Sequence, residues 1–400
     1  MMRIHPVAIV VALVMSAVVS HFPVPAAAES GTEYHVHGLL ELIASERATA
    51  TEFNRLTRGD SPFDAYGVHV LADARLGPRL GVFTHVVLRD ATNPYVFGAY
   101  LMYTPWDERD IHVLAGKVPW LVGTFAPRAY SDKNPLIGTP LIYQHHSTLV
   151  WYAAPPSVDV LLATAGSGQY GVDYFGSPMS FGMPIVDDSY WDVGVTVTGS
   201  QRPFEFAAGV SAGTPGWGTT GLEENSGKSV LGRIGLSPVP GVRAGVSGAY
   251  GPYLVQSVGD FLPPGKEVGD YHQVLGMADL ELLVGHAELR AEGAVNVWET
   301  PTVGDLRARG GYVELKYALS SGAFAAARFD AIRFGDVTPS VGEPRPWDAD
   351  VTRGEAGIGY RFTRDVLGKV VYQQMKIEGE AGRTGARRFP LLGAQLSVKF

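Results

Sequence analysis

The chain of 400 residues contains no cysteine. No disulfide framework and no thiolate metal site can therefore stabilise it, and backbone pairing and burial must do so instead. Beyond Ala28 no apolar run approaches the roughly 20 residues a membrane-crossing helix needs, so any part that enters a bilayer does so as a closed barrel. Charge is sparse, at 18% of residues, and acids outnumber bases by 40 to 32, which removes the basic excess that nucleic-acid binding requires. What is plentiful is glycine, with 49 residues, and aromatics, with 18 Tyr, 17 Phe and 7 Trp. Short strands, tight turns and aromatic belts use that composition, and a mean hydropathy of +0.06 suits a wall that is apolar on one side only.

Residues 1–28 carry Arg3 as their only charge, then an apolar run from Val7 to Val19, then Pro23, Pro25 and the small residues Ala26, Ala27 and Ala28. This order is read as a secretory signal peptide cut near Ala28, leaving 29–400 as the mature chain. Loss of Arg3 takes the formal net charge from −8 to −9.

The last residues, Leu391 to Phe400, alternate strictly: Leu392, Ala394, Leu396, Val398 and Phe400 on one side, Leu391, Gly393, Gln395, Ser397 and Lys399 on the other. Such alternation describes a strand with one apolar face, and a terminal aromatic suits the girdle at a membrane interface. The same pattern recurs upstream. Tyr34, Val36, Gly38, Leu40 and Leu42 oppose His35, His37, Leu39, Glu41 and Ile43. Ala287, Leu289, Ala291, Gly293 and Val295 oppose His286, Glu288, Arg290 and Glu292. Val313, Leu315, Tyr317 and Leu319 oppose Tyr312, Glu314 and Lys316. Ala356, Ile358, Tyr360 and Phe362 oppose Arg353, Glu355, Arg361 and Thr363.

Turn signals such as Gly77-Pro78, Ser320-Ser321-Gly322 and Arg364-Asp365 alternate with longer polar stretches, among them Thr214 to Lys228, Ser257 to Asp270 and Val337 to Asp350. Short connections at one end and long loops at the other are the polarity of an outer-membrane barrel. The expected fold is all-β, a transmembrane antiparallel barrel of about 16 strands, within about 14 to 18, from ~23 residues per strand and connection. No repeat of propeller-blade length is present.

Gly116 to Ser147 is the least strand-like stretch, with prolines at 119, 127, 135 and 140. Proline supplies no ladder N–H, so residues 117–146 are read as a loop folded into the lumen. Its polar members Lys117, Arg128, Asp132, Lys133, Asn134, His145 and His146 would set the constriction, with Glu41, Glu288, Arg290, Glu292, Glu314, Lys316, Arg328, Arg353, Glu355 and Arg361 lining the pore from the wall.

On Gly116, Lys117, Pro119 and Gly123, following paired strands and preceding a barrel that closes in Phe400, the chain resembles the sixteen-stranded phosphate-selective porin family. The resemblance implies a homotrimer with a loop folded into each barrel, and a C-terminal strand read by the outer-membrane assembly machinery. The basic ladder of phosphate capture is not reproduced, because Arg233, Arg243, Lys369 and the other inward bases are offset by Asp73, Glu205, Asp279, Asp330 and further acids. The function expected is thus passive diffusion of small hydrophilic solutes or ions through a mixed-charge lumen, with no cofactor and with outer-membrane lipid around the barrel. The alternative is a scaffold that sheathes a periplasmic partner, such as an electron carrier, or displays adhesive loops.

Catalytic patterns are weak. Gly221 to Ser229 imitates a phosphate loop with five residues between Gly221 and Gly227 where four are needed, and no Gly-x-Ser-x-Gly elbow occurs with a placed His and acid. The pairs His35/His37 and His145/His146 have no third ligand at a recognisable spacing. The chain is read as no enzyme.

Overall fold

The computed structural model describes residues 33–45, 65–89, 93–168, 171–176, 178–179, 182–187, 191–217, 225 and 227–400. The segment read as a signal peptide lies outside them.

Sixteen antiparallel strands close into one barrel, each hydrogen-bonded to its neighbours in the sequence. They are β1 (Glu33–Ser45), β2 (Ala65–Arg75), β3 (Leu80–Arg89), β4 (Asn93–Tyr103), β5 (Asp110–Pro119), β6 (Trp191–Gln201), β7 (Phe204–Ser211) and β8 (Ser229–Val239). The second half comprises β9 (Val242–Pro252), β10 (His272–Val284), β11 (Ala287–Trp298), β12 (Leu306–Ser320), β13 (Ala323–Phe334), β14 (Asp350–Arg361), β15 (Val366–Glu378) and β16 (Arg387–Lys399). At a rise of ~3.3 Å per residue and a tilt near 45°, a strand of about 11 residues rises ~26 Å, the height of a lipid-facing apolar band.

The faces follow the alternation in the sequence. Val313, Leu315, Tyr317 and Leu319 on β12 are exposed on the outside, whereas Tyr312 and Glu314 are buried inside. On β16, Leu392 and Leu396 face out while Leu391, Gln395 and Ser397 are buried. The seam between β16 and β1 pairs Leu42 with Leu396, and it ends where Gly38 N–H donates to Phe400 O at 2.7 Å and Phe400 N–H to Gly38 O at 3.0 Å. Gly38 has no Cβ, and the Phe400 ring occupies the space one would fill. The strands therefore close without a free edge, which removes the row of unpaired backbone groups that lipid could not satisfy.

The connection between β5 and β6 leaves the wall after Pro119, and its described residues from Trp120 to Val150 pack within the barrel. It holds a 3₁₀ turn (Ala126–Arg128) and two short helices, α1 (Leu141–Gln144) and α2 (Val158–Ala163), the latter capped by Ser157 Oγ accepting from Val160 N–H at 3.3 Å. Phe125, Ile142, Tyr143, Leu149 and Val150 are buried in one apolar cluster with wall residues Tyr312, Ile332 and Met375. Leu136 and Ile137 pack in a second with Ile43, Phe324, Leu367 and Val371. Among the described residues no helix is long and apolar enough to cross a membrane, which says nothing of crossing by strands.

Candidate functional site: the lumen and its inward segment

Residues 123–144 are bound to the inner wall by charge. Gly123, at φ 66°, turns the chain so that its N–H donates to Ser247 Oγ on β9 at 3.0 Å. Thr124 gives both its N–H (3.1 Å) and its hydroxyl (2.7 Å) to Glu292 on β11, which also accepts from the hydroxyls of Tyr143 and Tyr312. Arg128 donates to Glu314 at 3.0 Å and to the Tyr312 hydroxyl at 2.8 Å. Burial alone would lower the Arg128 pKa, yet Tyr312 and the Glu314 carboxylate hold it above its ordinary value.

Further along, Ser131 N–H reaches Glu41 at 3.0 Å, and Lys369 Nζ donates to three carbonyls, those of Ser131, Asn134 and Leu136, at 2.8, 2.8 and 2.9 Å. Glu355 accepts from Ile137 N–H (3.2 Å) and Gly138 N–H (2.8 Å), and Asp330 from Leu141 N–H at 3.0 Å. Behind these contacts lies a buried network in which Arg328 meets Glu314 (3.1 Å), Asp330 (3.4 Å) and Glu355 (2.6 Å), and Arg353 meets Asp330 (3.1 Å). Buried charges persist only when paired and hydrogen-bonded, and here each inward charge is matched by a wall partner or by the segment's own backbone. His145, which ends α1, is held neutral: burial, and then the charge of Arg353, lower its pKa to about 4.

The segment leaves a cavity of about 510 Å³ between itself and the opposite wall. Strands β2, β3, β4 and β6 contribute His69, Phe83, Phe97 and Trp191; the segment contributes Trp120, Tyr130 and Lys133; Arg233 and Arg243 stand on β8 and β9. The ladder between β3 and β4 shifts register between His85 and Val86, leaving Phe97 as the extra residue. A bulge of this kind re-aims a side chain, and the Phe97 ring lies edge-on to His85 at 5.0 Å.

Neither a known family model nor a curated protein matches this sequence. Solved structures do. OmpF of Salmonella typhi, in complex with daunomycin, superposes with a TM-score of 0.56 at 12% identity, covering 94% of this chain and 99% of that one. The anion-selective porin of Comamonas acidovorans gives 0.55 at 9% identity over 92% and 99%, and the outer-membrane channel DcaP of Acinetobacter baumannii 0.56 at 10% over 93% and 99%. The fold is that of a bacterial outer-membrane porin.

Within this porin fold the residues singled out from the sequence separate into groups. Lys117 is a correction. Ladder pairing runs on through Pro119, the last residue of β5, so Lys117 remains part of the wall; its register partners are Ala99 and Val193, the latter exposed on the outer face, and its Nζ donates to Val96 O at 3.1 Å. Glu41, Glu292, Glu314, Arg328, Arg353 and Glu355 do point inward, but they are at most 4% exposed, because the segment lies over them. Arg128 is likewise taken up in tethering. These seven side chains anchor the segment, and apart from Glu41, which also borders the cavity, none of them lines it, which corrects the reading of the other six as pore-lining.

Asn134 staples its own loop, donating to Gly138 O at 3.0 Å and accepting from Leu136 N–H at 3.2 Å. His145 and His146 are buried. Asp132 stands 3.6 Å from Lys399, and its carbonyl accepts from Arg361 at 3.2 Å. Glu288, Arg290 and Lys316 form a partly exposed cluster, with Lys316 3.4 Å from Glu288. Lys133 is exposed beside the cavity, 5.2 Å from the Tyr130 ring. The sequence reading missed the aromatic lining altogether, although Tyr95, Phe97, Tyr100 and Met102 shift phase within one strand, which is the mark of a bulge. Among the described residues no group of three or more His, Asp or Glu is placed to hold a metal ion.

Proposed function

We propose that the protein is a passive outer-membrane porin, exported by its N-terminal segment, through which small hydrophilic solutes or ions diffuse. The observation that carries this reading is the closed barrel with an apolar outer face and an inner segment fixed to one side of the wall, leaving a narrowed lumen on the other. A sheath for a protein partner would need that lumen free along its width, and residues 120–163 stand in it. Phosphate selectivity gains no support: the Lys117 of the resembling motif belongs to the outer wall, and Arg233 and Arg243 share the carboxylate of Glu205. A mixed-charge pore is the reading favoured.

We further infer a homotrimer, as the porin resemblance implies, and delivery by the assembly machinery through the strand that ends in Phe400. The test is planar-bilayer conductance of the refolded mature chain, with the reversal potential measured across a salt gradient. Steady single-channel steps are expected. A folded barrel that passes no current would refute the porin and return the scaffold reading.

A further inference from the structure

The side of the lumen on which the cavity lies is built differently from the side the segment packs against. Phe83 stacks on Tyr100 with centroids 5.0 Å apart and on Trp191 at 5.7 Å, and Phe97 meets Trp191 edge-on at 6.4 Å. The indole of Trp191 fills the space where Gly98 lacks a Cβ. Four rings from the neighbouring strands β3 and β4 and the start of β6 thus form a continuous aromatic surface on the inside of the barrel. A passage for hydrated ions gains nothing from such a surface, since apolar walls raise the cost of carrying a charge with its water.

Charge stands beside the rings. Lys133 projects at the edge of the cavity, and among the described residues no carboxylate lies within ion-pair distance of its Nζ. Arg233 and Arg243 face the same space; Asp279 and Glu205 hold them, with Arg233 2.9 Å from Asp279, and Arg233 keeps a buried N–H on Nη1 with no acceptor among the described residues. The carboxylate that lines the cavity, Glu41, is already engaged by His69 at 3.3 Å and by Ser131 N–H. A volume near 510 Å³, mostly apolar with a few convergent polar groups, is that of a small-molecule site.

From this arrangement we infer that the cavity selects a small organic anion with a flat apolar body, an aromatic monocarboxylate, its ring against Phe83, Phe97 and Trp191 and its carboxylate toward Lys133 and the arginines. The inference rests on the porin reading and names the solute class that this lumen favours. Ring faces and edges give a flat body directional contacts that an aliphatic chain of equal area does not have.

The test uses benzoate, acetate, which has the charge without the ring, and benzyl alcohol, which has the ring without the charge. Each is titrated into the refolded mature protein in detergent, reading tryptophan fluorescence, and each is added to single channels in a bilayer, reading block of the KCl current. Benzoate should half-saturate at least about tenfold below both of the others. Phe97→Ala should weaken benzoate about fivefold with little effect on acetate, and Lys133→Gln, at an exposed site where folding is not at stake, should weaken benzoate toward benzyl alcohol. Equal half-points for benzoate and acetate, or a Lys133→Gln variant that binds benzoate as before, would overturn the inference. Benzoate binding in detergent without any channel current would keep the site and refute the porin; channel current without benzoate preference would keep the porin and refute the site.

Discussion

Glu355 is the clearest single hold on the inward segment. Fully buried on β14, it accepts the N–H groups of Ile137 and Gly138 and pairs with Arg328. Glu355→Ala leaves two buried donors without an acceptor and takes one of three carboxylates from Arg328. Breaking a buried pair by removing one partner costs about 3–5 kcal/mol, and the orphaned N–H groups are part of that loss rather than an addition to it. At ~1.4 kcal/mol per decade, docking of residues 131–141 weakens by about a hundredfold to several thousandfold. The barrel itself should survive, because the backbone pairing of β14 with β13 and β15 does not use the side chain. The assay is hydrogen exchange at Ile137 and Gly138 read together with single-channel conductance. Both amides should lose protection and conductance should rise, while heat-modified gel mobility stays that of a folded barrel. Glu355→Gln, which keeps an acceptor but no charge, should fall between. Lys376→Ala breaks an exposed pair with Glu378, which water and salt screen, and serves as the control. If Glu355→Ala matched that control in both readouts, the tethering argument would be wrong.

Acid should act on two loop groups with opposite sign. His145 has its pKa lowered to about 4, chiefly by burial, so the stability it lends is full above pH 6.5 and is lost as pH falls toward 4; protection around α1 should decline over that window and stop declining in His145→Phe. Asp348 has its pKa raised to about 6 by burial, against the N–H donors of Thr148, Gly166 and Ala349. The folded state therefore binds the extra proton between pH 6 and 4, and protection factors at Thr148 and Gly166 should rise as pH falls through 6, a trend that Asp348→Asn abolishes. Gly123→Ala should free the start of the segment, since the residue sits at φ 66° and a Cβ would collide with the Tyr143 hydroxyl; unchanged conductance in that variant would count against it. Deleting Phe400 removes two backbone hydrogen bonds at the seam and a ring from the outer face, so the yield of folded barrel in the outer membrane should drop while synthesis of the precursor does not.

The wall was legible because lipid imposes one rule on every strand. Val313, Leu315 and Tyr317 had to face out once Tyr312, Glu314 and Lys316 faced in, and the structure follows that phase on β1, β11, β12, β14 and β16. Connections were legible for the same reason: Gly77-Pro78 and Ser321-Gly322 interrupt the alternation where β2 and β12 end. What alternation does not report is the medium on the polar side. Arg353 on β14 reads the same whether it meets water or a folded segment, and only the long-range contacts to Gln144 and the Thr139 carbonyl decide between them. Prolines marked the segment, yet Pro119 itself sits at a strand end where its missing N–H is no loss, so the departure from the wall comes later than the first proline suggests.

This division has a consequence for selectivity. From β11 round to β16 and β1 the inner wall is rich in charge, and that charge is matched across the interface with residues 123–144. From β2 to β6 it is rich in rings, and there the segment reaches His69 and His85 through Tyr130 but otherwise stands off to leave the cavity. A filter inferred by counting inward Arg, Lys, Asp and Glu therefore weights the wrong half of the barrel. Neutralising a covered pair such as Arg328 and Glu314 together should alter the fit of the segment more than ion preference, because neither group faces the passage. Neutralising Lys133, whose ammonium stands at the cavity edge, should shift the reversal potential with the segment left in place. On the porin reading proposed above, the passage is set by the few groups the segment leaves open to the cavity, and the many it covers are what keep it there.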